Sequence, residues 1–294
     1  MRIFITGASG FIGSAVTNEL LSSGHEVIGL ARSDESATAI TKAGASVLRG
    51  SLEDTECLKK GAREADGVIH LAFVHDSTNM ENAVRIDAQA VEAFGSVLEG
   101  TDKPLLIASG TPPIPGRKAT EHDPSPAKGP AAGRGITAQS VVDMSKRGIR
   151  SSVVRMPRSV HGEGDIHGLI PQIIKMARAK GFCPYVGDGS NRWPAVHILD
   201  VAQLARLAIE EAPAGSVLHA VGDDGVPVHD FVDVIGKRLN VPVKSSTPEE
   251  LGFLGMILSI DQPASSKITQ ELLHWKPTHV GLIGDLDQGH YFNN

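Results

Sequence analysis

The chain opens on Met1-Arg2-Ile3-Phe4-Ile5-Thr6 and turns at once into Gly7-Ala8-Ser9-Gly10-Phe11-Ile12-Gly13. No other feature constrains the fold as strongly. A short apolar strand that feeds spaced glycines and then opens a helical pattern over Phe11–Leu21 is the context in which such a turn cradles a dinucleotide pyrophosphate. Each glycine has its own task. Gly7 permits the tight turn, Gly10 lets the backbone approach phosphate, and Gly13 lets helix and strand pack closely. The helix start then offers unpaired N–H groups and the positive end of a dipole to an anion. Gly7, Gly10, Phe11, Ile12 and Gly13 are therefore expected cofactor contacts.

Beyond the turn, short β-branched or leucine-rich runs alternate with helical spacing. The strand-like runs are Arg2–Thr6, Glu26–Ala31, Gly67–Leu71, Pro104–Ala108, Ser151–Met156 and Ser216–Val221. Met80–Leu98, Ala138–Lys146 and Val201–Glu211 carry the helical pattern between them. That alternation predicts an α/β chain with a doubly wound parallel sheet, the Rossmann arrangement. The nearly unbroken apolar character of the strands predicts burial on both faces. Thr111–Gly135, rich in Pro, Gly, Ala and Lys, reads as one long loop, and loops of that length are usually functional or disordered. His161–Trp193 holds one helix, Leu169–Ala179, between glycine-rich turns. From Gly222 onward the pattern is less regular, with a helix at Val228–Leu239. The expected division is a nucleotide-binding domain over residues 1–160, completed by about 195–221. A smaller substrate-binding lobe is then built from 161–194 and 222–294.

The formal net charge of −6 leaves no basic footprint, so nucleic acid is not an expected partner. The two cysteines, Cys57 and Cys183, stand in no metal-ligand spacing, and a reducing, cytoplasmic setting is expected. The N-terminus reaches glycine too early for a signal peptide, and Leu251–Ile260 is too short to span a bilayer, so no membrane partner is expected. The expected partner is a small-molecule substrate, and a homo-oligomer is left open.

The end of the second strand discriminates between nicotinamide cofactors. A carboxylate there bonds the ribose 2′-OH of NAD, whereas an arginine accepts the 2′-phosphate of NADP. The chain reads Gly29-Leu30-Ala31-Arg32-Ser33-Asp34, with Arg32 and Ser33 suited to phosphate. NADP is the expected cofactor and NAD the second choice. The alternative for Arg32 is a solvated turn residue.

These residues resemble the extended short-chain dehydrogenase/reductases, the NAD-dependent epimerase/dehydratase family, over almost the whole chain. Thr6–Gly13 looks like the family's phosphate turn and Val68-Ile69-His70-Leu71-Ala72 like its fourth-strand motif. Val186-Gly187-Asp188-Gly189 followed by Val196-His197-Ile198-Leu199-Asp200 is similar to its second-lobe signature, and His274-Trp275-Lys276-Pro277 to its Gly-Trp-Lys-Pro. The resemblance implies cofactor contacts from Ser51, Leu52, Leu71, Ala72 and Phe73. It also implies that Ser109, at the end of the fifth strand, hydrogen-bonds the substrate oxygen; the alternative is a turn serine bonding its own backbone. One departure is decisive for mechanism. The family's catalytic Tyr-x-x-x-Lys pair has no counterpart, because the only tyrosines are Tyr185 and Tyr291 and the region reads Arg134-Gly135-Ile136-Thr137-Ala138. Lys146 lies about two turns further along and is no substitute. The chain thus resembles the atypical branch of the family.

The remaining candidates lie around the expected cleft. Arg134 holds a cofactor or substrate anion, or is a solvated loop residue. His161, on a glycine-rich loop, is the expected proton donor because histidine titrates near neutral pH; the alternative is that it packs where the family has tyrosine. A metal centre from His161, Asp165 and His167 lacks a fourth ligand, and none is expected. Arg192 and Trp193 are expected to contact substrate, the tryptophan as a flat apolar wall or else as a core residue, together with His75 and Thr111. His197 and Asp200 are expected to cap and orient the helix that follows them. The combined expectation is an NADP-dependent oxidoreductase passing hydride to a small carbonyl or related compound. The alternatives are a non-catalytic NADP(H)-binding regulator and a nucleotide-sugar epimerase or dehydratase.

Overall fold

β-Branched and leucine-rich runs do form strands at β1 (Arg2–Thr6), β2 (Glu26–Ala31), β3 (Ser46–Arg49), β4 (Gly67–His70), β5 (Pro104–Gly110) and β6 (Arg150–Met156). The strands β7 (Ser159–His161), β8 (Cys183–Val186), β9 (Arg192–His197), β10 (Ser216–His219), β11 (Asp223–Pro227) and β12 (Val243–Ser246) follow. The helices between them are α1 (Phe11–Ser22), α2 (Asp34–Lys42), α3 (Thr55–Glu64), α4 (Met80–Leu98), α5 (Ala132–Asp143) and α6 (Leu169–Lys180). Further along come α7 (Ile198–Glu211), α8 (Val228–Leu239), α9 (Pro248–Leu258), α10 (Lys267–Leu273) and α11 (Leu282–Gln288). The computed structural model describes residues 1–74, 79–125 and 132–293.

Seven strands form one sheet in the order β10-β6-β5-β4-β1-β2-β3, and every pairing in it is parallel. Parallel neighbours need crossover connections, and the helices supply them on both faces. Alternation along β1 makes the two-sided burial explicit. Ile3 and Ile5 enter a core with α1 and α7, while Phe4 points to the other face and a core with α3, α4 and α5. The strand order reverses between β1 and β4, and in such sheets ligands bind beyond the carboxyl ends of the strands at that point.

The smaller assembly pairs β9 with β7 in parallel and with β11 antiparallel, and sets β12 against β8. α6, α8, α9 and α11 enclose its own apolar core around Trp193, Phe231 and Ile173. The long connection after β5 is better anchored than its composition implies. Ala119 is fully buried and bridges Ala264, and Asp123 is held by Arg117 and by its own loop at Thr120. The helix expected to start at Ala138 already begins at Ala132, which brings Arg134 onto its first turn. Among the described residues no helix is long and apolar enough to cross a membrane.

Candidate active site

The glycine turn has the geometry its residues demand. Gly7 has φ of +78°, and a Cβ there would stand 2.9 Å from the Ala72 amide nitrogen. A Cβ on Gly13 would overlap the Gly7 carbonyl oxygen, so this glycine is what lets α1 sit against β1. Gly10 differs: a Cβ there would meet only the Gly7 oxygen, at 3.4 Å. Among the described residues nothing else crowds that side. Gly10 is also the N-cap of α1, with no side-chain cap and no acidic residue in the first turn. An uncapped helix start beside an open glycine is a cradle for an anion, so these residues fit a dinucleotide pyrophosphate. Leu71, Ala72 and Phe73 run along this turn, with the Leu71 amide on the Thr6 carbonyl at 3.2 Å and the Ala72 amide on Thr6 Oγ1 at 3.3 Å.

The ribose end lies beyond β2. A depression of about 380 Å³ is lined by Ala31, Arg32, Ser33, Asp34, Glu35, Arg49 and Gly50. Arg32 is exposed there and carries no ion pair among the described residues. Ser33 caps α2, accepting the Ser36 amide at 3.3 Å, and so spends part of its hydroxyl on the helix. Arg49, at the end of β3, donates to the Ser33 carbonyl at 2.6 Å and pairs with Asp34. Sequence reading missed Arg49. Its signal was an arginine ending the run just before Gly50-Ser51, opposite Ala31 at the strand end that Arg32 follows. Ser51 and Leu52 follow β3 in the next turn, half-buried, with the Gly50 amide tied to the Ala31 carbonyl at 3.1 Å.

Beyond the switch point the residues expected to do chemistry separate. Ser109 ends β5 opposite Arg155 of β6, nearly buried, and its hydroxyl takes no hydrogen-bond partner among the described residues. It is not a self-bonded turn serine. Arg134 reaches the same edge: its Nη2 donates to the Ala108 carbonyl at 2.9 Å, and its guanidinium lies 4.3 Å above the Phe73 ring. Burial pushes its pKa down and the Asp87 charge opposes that, so a cation is held at this edge of the sheet. Ala138 is buried in the core and Lys146 pairs with Asp143 at the surface. A buried relay also went unread. Thr6 Oγ1 lies 2.7 Å from His70 Nδ1, and His70 Nε2 lies 3.2 Å from Asp87, joining the strand before the glycine turn to α4.

Other expectations are corrected. His161 is not on a loop open to the cleft. It ends β7, is fully buried, and bonds Asp285 through Nδ1 at 2.9 Å, so it packs rather than meeting substrate as a proton donor. Trp193 is no substrate wall, because alternation along β9 turns it into the lobe core, fully buried, 5.1 Å from the Phe231 ring. Arg192, on the opposite side of β9, is neutralised by Asp261, with Nη2 on Oδ2 at 2.8 Å. Thr111 is buried, and both its carbonyl and its hydroxyl accept from the Gln262 amide, so its polar atoms are already spent within the protein. His75 lies outside the described residues. His197 caps α7 as expected, its Nδ1 accepting the Leu199 amide at 3.3 Å. Asp200 instead gathers the tail, accepting from the Thr278 amide at 3.0 Å and lying 2.7 Å from His279 Nδ1.

The loop opposite the glycine turn is held by this same tail. Tyr291 hydroxyl donates to Asp165, and the Gly162 amide donates to that hydroxyl at 3.1 Å. Glu163, Gly164, Ile166 and His167 thereby face Ser9, Gly10 and Phe11 across a cavity of about 710 Å³.

The model of the NAD dependent epimerase/dehydratase family matches residues 3–220. The chain belongs to this family. An uncharacterised protein of Schizosaccharomyces pombe is 45% identical over 298 residues, covering 99% of this chain and 100% of the relative. A 4-hydroxy-2-methyl-3-oxo-4-farnesyl-3,4-dihydroquinoline-1-oxide ketoreductase of Stigmatella aurantiaca is 30% identical over 78% of this chain and 70% of its own length. A solved UDP-glucose 4-epimerase of Thermotoga maritima superposes with a TM-score of 0.80 at 18% identity, over 99% of this chain and 98% of that one, a likeness of fold. Family membership makes a nicotinamide dinucleotide the cofactor class, and the open Gly10 cradle is the feature of this chain that fits it.

Proposed function

We propose that this family member is an NADP-dependent oxidoreductase that passes hydride to a small carbonyl compound at the carboxyl edge of β4 and β5. The observation that carries the reading is Ser109, whose unpartnered hydroxyl stands one residue from the carbonyl that fixes the Arg134 guanidinium. When bound here, a dihydronicotinamide would supply the hydride. The Ser109 hydroxyl would donate a hydrogen bond to the substrate carbonyl oxygen, on which negative charge would build. Arg134 adds a fixed positive charge in a half-buried setting, where preorganised charge stabilises most. The proton that completes the alcohol comes from water, since His161 is closed off behind β7 and Asp285.

Arg32 beside Ser33 supports NADP over NAD, because its exposed guanidinium, with no ion pair among the described residues, lies at the place of a 2′-phosphate, with Arg49, itself paired with Asp34, on the far side. The lobe of residues 161–194 and 222–294 supplies the substrate side, and a reducing cytoplasm suits the two free cysteines. The relative named as a ketoreductase favours carbonyl reduction. Arg192, already matched by Asp261, does not favour a nucleotide-sugar diphosphate. The missing tyrosine favours a second reading, a protein that binds NADP(H) without turnover. Oxidation of NADPH against a panel of aldehydes, ketones and oxo acids separates the two. Turnover that falls about 10-fold or more in Ser109→Ala supports the first reading. Tight NADPH binding with no oxidation by any member of the panel establishes the second.

A further inference from the structure

The inference deepens the oxidoreductase reading and rests on it for the location of the site; it concerns Arg158. This residue stands in the turn between β6 and β7, at the carboxyl edge of the sheet. β6 is in register with β5, Gly110 opposite Met156, and the Thr111 amide donates to the Met156 carbonyl at 2.9 Å. Arg158 therefore emerges beside the strand end that presents Ser109.

Its surroundings are unusual for a half-buried cation. Nη2 donates to Oε1 of Gln262, a side chain locked in place because its own amide nitrogen is spent on Thr111 and its backbone amide donates to the Arg192 carbonyl at 3.0 Å. Nε is buried with no acceptor, and Nη1 takes none among the described residues. The neighbouring arginines are each matched: Arg192 by Asp261, Arg155 by the charges of Asp123 and Glu121, Arg134 by that of Asp87. Among the described residues Arg158 has no such carboxylate. Burial alone acts on it and pushes its pKa down to about 10, which leaves it charged at neutral pH. A partly desolvated charge with unused donors gains from a ligand that supplies the counter-charge. An amide oxygen gives a dipole and leaves the charge unmatched.

We propose that Arg158 is a substrate-binding residue that receives a carboxylate, and that the substrate is a short oxo acid whose carbonyl lies at Ser109. One unmatched positive charge suits a single carboxylate, and a guanidinium offers that planar group paired N–H donors. Arg158 stands three residues beyond the partner of Ser109, in the turn just past the end of β6, so the arginine side chain and a chain of a few carbons join the two places.

The test reads binding apart from turnover. Acetoacetate and 2-oxobutanoate are titrated by calorimetry into the protein saturated with NADP⁺, which holds no hydride, and each is compared with its methyl ester. The expected result is that at least one acid binds about 10- to 100-fold tighter than its ester, the worth of a charge-assisted pair. Arg158→Met should erase that preference while NADP⁺ affinity stays at the parental level, and Arg158→Lys should keep part of it. Urea unfolding of each variant establishes that it is folded. Equal affinity for acid and ester, no binding of either acid, or a preference that survives in a folded Arg158→Met overturns the proposal. An Arg158-dependent preference without NADPH oxidation leaves this proposal standing and removes the oxidoreductase reading. NADPH oxidation by acids and esters alike does the reverse.

Discussion

Replacing Gly10 by valine separates what the glycine turn does for the fold from what it does for a ligand. The backbone at Gly10 has φ −78° and ψ 173°, extended values open to any residue. A Cβ there meets one protein atom, the Gly7 carbonyl oxygen, at 3.4 Å. The cost to folding is then mainly that of a poor N-cap, about 1 kcal/mol or less. The cost to the cofactor is much larger. The side chain fills the space in which the turn and the start of α1 present N–H groups to pyrophosphate. Each charge-assisted hydrogen bond is worth about 1.5–3 kcal/mol, so losing two weakens binding by roughly 3–6 kcal/mol, about 10²- to 10⁴-fold. Gly13→Ala is the matched control. Its Cβ overlaps the Gly7 oxygen, so it separates α1 from β1 and should lower stability by about 1–3 kcal/mol or more. NADPH titration by fluorescence and urea unfolding of the two variants give both numbers. Parental NADPH affinity in Gly10→Val, or a Gly13→Ala protein as stable as Gly10→Val, would refute this reasoning.

Other consequences follow from the same geometry. Arg32→Ala should weaken NADPH by about 1.5–3 kcal/mol and leave NADH unchanged, with Arg49→Ala acting in the same direction; parallel titrations check it, and equal losses for both cofactors would show that neither arginine reads the 2′-phosphate. Burial is the main cause that lowers the pKa of both His197 and His219. Their stabilising contribution is present above the unfolded value of about 6.5 and is lost as pH falls through the lower folded values. Unfolding free energies should therefore decline from pH 7 downward, less steeply in His197→Asn, which keeps a capping side chain; an identical slope would remove His197 from the account. Trp193→Ala should cost about 3–5 kcal/mol of stability through its cavity, whereas Trp193→Phe should fold and keep the parental substrate preference. A changed preference in Trp193→Phe would return that residue to the site.

Much of the nucleotide-binding half is legible because its constraints are local. Gly7 and Gly13 answer to backbone requirements that no other residue meets, Gly10 leaves the space a phosphate needs, and the β-branched runs around them announce buried parallel strands. His161 and Trp193 were less legible for a shared reason. Strand alternation fixes that neighbours face opposite ways, yet it does not say which way is inward. In β9 that choice is made by β7 and β11, which lie distant in sequence, and it turns Trp193 into the core and Arg192 out toward Asp261. The glycine-rich stretch around His161 reads as a loop, but Asp285 and Tyr291 from the tail close over β7 and the loop after it. Arg158 and Gln262 carried no signal of their own, since their pairing spans more than a hundred residues of chain.

The central claim is hydride transfer to a carbonyl at the Ser109 edge, and it is tested most directly with NADPH deuterated on one face of the nicotinamide C4. The protein is incubated with that cofactor and the carbonyl panel, and the alcohol products are examined by mass spectrometry. The account predicts deuterium on the carbinol carbon of at least one product, from one face of the cofactor only, with the transfer reduced in Ser109→Ala. Bound NADPH that retains its label with every carbonyl offered would contradict it and leave a protein that holds the dinucleotide without using its hydride.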